Sequence, residues 1–154
     1  MVGSTPNPQS LVIDASIAVW AVLPIVQGKD ADAAGRFAEW EEKGYALLAP
    51  SWWAAECTTA IRRALFNDLI SETRAHDAIA DLFSLEVQLV PIDADLCTSA
   101  LDWAGRLQQS KAYDAFYLAL AHNLSADLWT ADKRLATAAQ QIGLHWVHWV
   151  GDSR

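Results

Sequence analysis

The sequence predicts an α/β fold in which a central parallel sheet of about five strands is flanked by helices on both faces. Short apolar runs recur along the chain at Leu11–Ile13, Tyr45–Ala49, Val87–Ile92, Asp127–Thr130 and His145–Trp149. The stretches between them carry helical periodicity, as crossover connections in a parallel sheet require. Of the 154 residues, 53% are hydrophobic and 19% charged, enough for one domain with a sizeable core and too apolar for a disordered chain. Crossovers are expected to be right-handed, and a site is expected beyond the carboxyl ends of the strands.

The elements follow in order. Leu11-Val12-Ile13 is a short apolar run, two of its residues β-branched, ending at Asp14, with Ser16 as cap for a helix from about Ile17. Residues 30–43 read as an amphipathic helix presenting Ala33, Phe37 and Trp40, closed by Gly44. The second strand leads to Pro50-Ser51, where Ser51 is the expected cap of a helix to about Asn67. Ser71-Glu72 opens another helix, to about Ser84. Asp93 is positioned to cap a helix reaching about Gln109, and a further helix covers about Ala112 to His122. Asp132 opens the last helix, Gly143 ends it, and an aromatic strand follows. The expected organisation is a flexible tail over residues 1–9 and one domain over residues 10–150, without repeats or linkers.

Leu11 to Val26 is apolar, yet Asp14 interrupts it, Pro24 breaks it and no basic flank precedes it, so a strand entering a helix is expected rather than a signal or anchor. Cys57 and Cys97 lack metal-type spacing and read as reduced thiols, which fits a cytoplasmic protein without membrane partners. With 19 Asp and Glu against 11 Lys and Arg, the net charge is −8. That sign opposes phosphate binding unless some of the acids hold cations.

Asp14 and Asp132 sit at or just after strand ends, Asp114 falls in the first turn of a helix, and Glu56 lies within two turns of the start of another. An Asp at a helix start can serve as a cap or complement the dipole, so Asp114 and Asp132 each have a structural explanation. Glu56 is set among Trp53, Ala54, Ala55, Cys57 and Ala60, which argues for an enclosed setting. Asp14, closing the first and central strand, is the hardest to explain structurally, because a carboxylate there is costly unless neutralised. Carboxylates that converge must take up protons or share cations, and an oxygen-only set suits Mg²⁺ or Mn²⁺ rather than Zn²⁺. Such ions can activate water and hold a phosphate, and they reverse the local charge that a phosphate meets.

Four stretches carry a family resemblance: Val12-Ile13-Asp14-Ala15-Ser16, Pro50-Ser51-Trp52-Trp53-Ala54-Ala55-Glu56, Tyr113 to Ala121 around Asp114, and Leu128 to Leu135 around Asp132. In this order and spacing, the chain resembles the PIN domain, and more closely the VapC-type toxin ribonucleases of toxin–antitoxin pairs. The resemblance covers about residues 10–150. It implies a catalytic, metal-binding acidic set at Asp14, Glu56, Asp114 and Asp132, with Ser16 and Thr130 as accompanying polar residues. It also implies Mg²⁺- or Mn²⁺-dependent hydrolysis of RNA, a homodimer and a cognate antitoxin. On that basis Asp14 and Asp114 are the principal ligands. Glu56 and Asp132 complete the shell directly or through water, or Glu56 positions the attacking water. Ser16, Thr130 and Arg63 are the candidate substrate contacts; Arg63 lies two helical turns after Glu56 on the same face. The eight Trp residues depart from a typical member.

Other patterns carry less. His145 and His148, three apart in a strand, point to opposite faces and do not share an ion; a structural role is expected. The Trp residues are expected mainly in the core and interfaces, with base stacking on an exposed one as the alternative. A nucleophile elbow and a glycine-rich dinucleotide turn are both missing. The rival readings are a catalytically silent domain that binds RNA or protein, and a phosphatase with an aspartate nucleophile. Against the phosphatase, Ser16 stands where that chemistry would place a second Asp.

Overall fold

A computed structural model describes residues 9–29, 31–109 and 112–152. Apart from residue 9, the expected N-terminal tail lies outside the described residues, as does Asp30. The described chain is a single α/β unit: β1 (Ser10–Ile13), α1 (Ala15–Val22), a 3-10 turn (Pro24–Val26), α2 (Ala33–Glu42), β2 (Ala46–Pro50), α3 (Trp53–Phe66), α4 (Glu72–Ser84), β3 (Gln88–Val90), α5 (Ala94–Arg106), α6 (Tyr113–Leu124), β4 (Asp127–Thr130), α7 (Lys133–Gln141) and β5 (Val147–Trp149).

The five strands form one parallel sheet in the order β3-β2-β1-β4-β5. β1 is central, pairing Leu11 with Leu47 of β2 on one side and with Asp127 of β4 on the other. Leu11, Val12 and Ile13 are all buried, without the alternation of a half-exposed strand, because helices cover both faces. The chain builds outward from β1 through β2 to β3, then returns to lay β4 on the opposite side of β1. A crevice opens where the direction of winding reverses, outside the carboxyl ends of β1 and β4. Asp14 and Thr130 both stand there.

α6 is apolar almost all round, burying Ala115, Tyr117, Leu118, Ala119, Leu120 and Ala121 against the sheet. α2 anchors through Phe37 and Trp40, with Trp40 packed edge-on against Trp129 of β4 at 5.4 Å between ring centres. Arg74 of α4 donates to the Val22 carbonyl at the C-terminal end of α1, supplying a partner and a favourable charge where helix carbonyls run out. Gly44 and Gly143, at φ +72° and +86°, follow α2 and α7 in the left-handed conformation expected of helix-terminating glycines.

Two expected caps differ. Asp14, not Ser16, caps α1, accepting from the Ile17 amide, and Ser16 lies within the helix. Ser51 does not cap α3 either: the N-cap position is Trp52, without a side-chain bond. Ser51 instead donates its backbone amide to the Val90 carbonyl, continuing the β2–β3 pairing one residue further. Among the described residues, no helix is long and apolar enough to cross a membrane.

Because Leu128 is fully buried at the centre of β4, Leu128→Ala should lower unfolding free energy by about 2–5 kcal/mol in urea titrations, with unchanged slope.

Candidate active site

The central strand delivers Asp14 to the crevice floor, where only 4% of the residue is exposed. Its carboxylate is held by three donors. Ser16 Oγ donates to Oδ1 at 2.5 Å, the Ile17 amide donates to the same oxygen at 3.2 Å, and Thr130 Oγ1 donates to Oδ2 at 2.5 Å. The hydroxyls are fixed in turn: Ser16 Oγ accepts from the Ala131 amide and Thr130 Oγ1 from the Asp132 amide, both at 2.9 Å. With both hydroxyl protons directed at Asp14, the arrangement calls for the ionised carboxylate. A carboxylate offers about four lone-pair positions, so one on Oδ2 remains for an incoming group.

The other acids come from separate elements. Glu56 comes from the first turn of α3, after β2, and Asp114 from the first turn of α6. Asp132 caps α7, with Oδ1 accepting from the Arg134 and Leu135 amides. Their charges act on one another. Burial pushes the Asp14 carboxyl up to about 6 against the three hydrogen bonds that favour its ionisation, and the Asp114 charge adds to the rise. Glu56 is pushed up to about 7 by burial and by the charges of Asp14 and Asp114. Asp114 is raised by burial and by Asp132, while the Arg134 guanidinium works in the opposite direction.

Among the described residues, no group of three or more His, Cys, Asp or Glu side chains is placed so that it could hold a metal ion. The acids are linked pairwise by charge: Asp14 and Asp114 act on Glu56, and Asp132 acts on Asp114. The donor chemistry fits a hard cation, since every candidate ligand atom is a carboxylate oxygen. Magnesium in particular is commonly held by one or two carboxylates while retaining several waters.

The three expected substrate contacts fall in different settings. Thr130 is fully buried, with its hydroxyl engaged by Asp14 and Asp132. Ser16 and the exposed Arg63 line one cleft of about 290 Å³ together with Val19, Trp20 and Asn67. Two further residues belong to the surroundings of the site. The Tyr117 hydroxyl accepts from the Ala15 amide at 3.2 Å, next to the Asp14 cap. Burial, and the charges of Glu56 and Asp14, raise this phenol well above its ordinary value, so it stays protonated. Arg134 is the cation that acts on Asp114. Tyr117 stood inside a motif already noted, three residues after Asp114, and that near-helical spacing was the available signal.

Comparison with known proteins places this geometry among relatives. The PIN domain family profile matches residues 11–141. Ribonuclease VapC1 of Mycobacterium tuberculosis is 37% identical over 91 residues, covering 58% of this chain; the match spans 65% of the relative's own length. Among solved structures, VapBC2 from Rickettsia felis, bound to a promoter DNA fragment, has a TM-score of 0.62 at 14% identity, covering 92% of this chain and 98% of that one. PAE2754 from Pyrobaculum aerophilum has a TM-score of 0.60 at 19% identity, covering 84% and 79%. VapC20 of Mycobacterium tuberculosis, described as a sarcin-ricin loop cleaving toxin, has a TM-score of 0.52 at 23% identity, covering 83% and 94%.

The raised carboxyls have a definite consequence for stability. Between about pH 4 and 7 the folded protein holds protons on Asp14 and Glu56 that the unfolded chain has released, so this pair disfavours folding increasingly as pH rises. In metal-free buffer, Glu56→Gln should therefore melt higher than wild type at pH 7.5 and about equally at pH 4, and added Mg²⁺ should close the gap; thermal melts followed by circular dichroism read this directly. Thr130→Val removes a charge-assisted bond to Asp14 and strands the Asp132 amide. It should cost about 1–3 kcal/mol by urea unfolding, more at pH 8 than at pH 5.

Proposed function

Because the chain belongs to the PIN domain family, we propose that it is a metal-dependent endoribonuclease that hydrolyses RNA phosphodiester bonds and serves as the toxin of a type II toxin–antitoxin pair. The observation that supports the reading is the buried Asp14 at the winding reversal, braced by Ser16 and Thr130, with Glu56 and Asp114 near enough for their charges to act on one another. The match to Ribonuclease VapC1 supports the activity. VapBC2, solved on a promoter DNA fragment, supports a protein antitoxin as partner.

In this reading Asp14 and Asp114 hold Mg²⁺ or Mn²⁺, with Glu56 and Asp132 completing the shell directly or through water. The ion, when bound, supplies charge neutralisation at the scissile phosphate and acidifies water. The protein's own groups do the rest. Ser16 and Thr130 keep the Asp14 carboxylate from turning, so its remaining lone pair is presented in one direction. Glu56, where it does not bind the ion directly, orients the attacking water through its carboxylate. Arg63, on the cleft shared with Ser16, meets the RNA backbone. Thr130 acts through Asp14, because its burial keeps it from the substrate. The active form is a homodimer in the cytoplasm, held in check by its antitoxin.

Purified protein should cleave RNA in Mg²⁺ or Mn²⁺ and lose that cleavage in EDTA. Asp14→Asn should reduce the rate at least about 100-fold while leaving the melting profile cooperative. Cleavage that survives chelation would remove the metal from the mechanism. Activity of the Asp14 variant at the wild-type level would remove the site, and loss confined to small phosphate esters would point to a phosphatase instead.

A further inference from the structure

Beside the carboxylates lies an aromatic cluster that the reaction as described leaves unused. Trp52 immediately precedes α3, four residues before Glu56, and Tyr113 immediately precedes Asp114 at the start of α6. The two rings meet at 5.6 Å and 85°. Trp52 also packs nearly perpendicular to Phe116 at 5.9 Å and to Tyr117 at 5.2 Å. It is thus braced on three residues of α6, while Tyr113 at the rim stays 62% exposed.

We infer that Tyr113, braced by Trp52, is a stacking platform for a base of single-stranded RNA next to the phosphate held at the carboxylates. The inference rests on the ribonuclease reading and adds a binding subsite to it. Perpendicular contacts use one edge against one face, so they support a ring without covering it the way a stacked neighbour would. A ring already held in place loses little freedom when a base settles on it. Position adds to this: Trp52 packs on Tyr117, whose hydroxyl accepts from the Ala15 amide next to Asp14, so the aromatic cluster borders the acidic site. Charge gives the reason such a contact is needed. At a net charge of −8 the protein offers RNA little general attraction, whereas stacking gains affinity without cations and accepts any base.

The test uses the non-cleaving Asp14→Asn protein in Mg²⁺ and two probes of equal length, twelve-unit oligoadenylate and the same ribose-phosphate chain without bases. Fluorescence anisotropy should show oligoadenylate bound roughly 5- to 150-fold more tightly. Tyr113→Ala, at an exposed position and checked for unchanged circular dichroism, should remove most of that preference. Tyr113→Phe should retain it, since the ring and not the hydroxyl is required. Failure of the parent protein to prefer the base-bearing chain, or an undiminished preference in Tyr113→Ala, would overturn the platform. If Tyr113→Ala changes oligomer size on gel filtration and leaves the preference intact, the ring serves a protein contact and the proposal falls. The wild-type cleavage assay separates the two levels: EDTA-sensitive cleavage with no role for Tyr113 removes the platform alone, and no cleavage at all removes the reading beneath it.

Discussion

The rest of the site hangs on how one buried negative charge is held. Asp14 ends the central strand with almost no contact with solvent, a position that disfavours ionisation. Two hydroxyls and an amide offset this, and each hydroxyl is itself oriented by a backbone amide from the segment that follows β4. The bonds therefore act twice. They keep the carboxylate ionised near neutrality, and they tie the end of β1 to the end of β4 across the crevice. Capping α1 with the same carboxylate adds a third tie, so strand, helix and neighbouring strand share one anchor.

Around that anchor the electrostatics run against the fold and in favour of chemistry. Asp132 raises the proton affinity of Asp114, Asp114 and Asp14 raise that of Glu56, and the opposing cation is Arg134 acting on Asp114. Groups so placed are stabilised by protons or by a hard cation, the pattern expected where function is favoured over stability. Under the proposed function, the acids of this site would act as ligands rather than as surface charge, which offsets part of the net charge of −8.

Much of this was legible in the sequence. The order of strands and helices followed from apolar runs and their spacing, and Asp93, Asp132, Gly44 and Gly143 acted as the expected helix signals. Capping was less legible where several polar residues competed. Ser16 and Ser51 both looked like caps, yet one is turned onto Asp14 and the other extends strand pairing, outcomes set by neighbours distant in sequence. Long-range partnerships were hidden for the same reason. His148 was expected to be structural, but its contacts, a bond to Asp127 at 2.9 Å and stacking on Trp129, depend on the register of β5 against β4. The Trp52–Tyr113 contact, between residues 61 apart at the starts of α3 and α6, became visible only in the folded chain.

The return of the chain to the far side of β1 has an effect on biosynthesis. Thr130 and the amides of Ala131 and Asp132, which brace Asp14, lie in the last quarter of the polypeptide. A nascent fragment that has not yet emerged as far as β4 has only Ser16 and the Ile17 amide to brace Asp14 and lacks Asp132 altogether. Strand order thus delays the full bracing of Asp14 until β4 has joined the sheet beside β1.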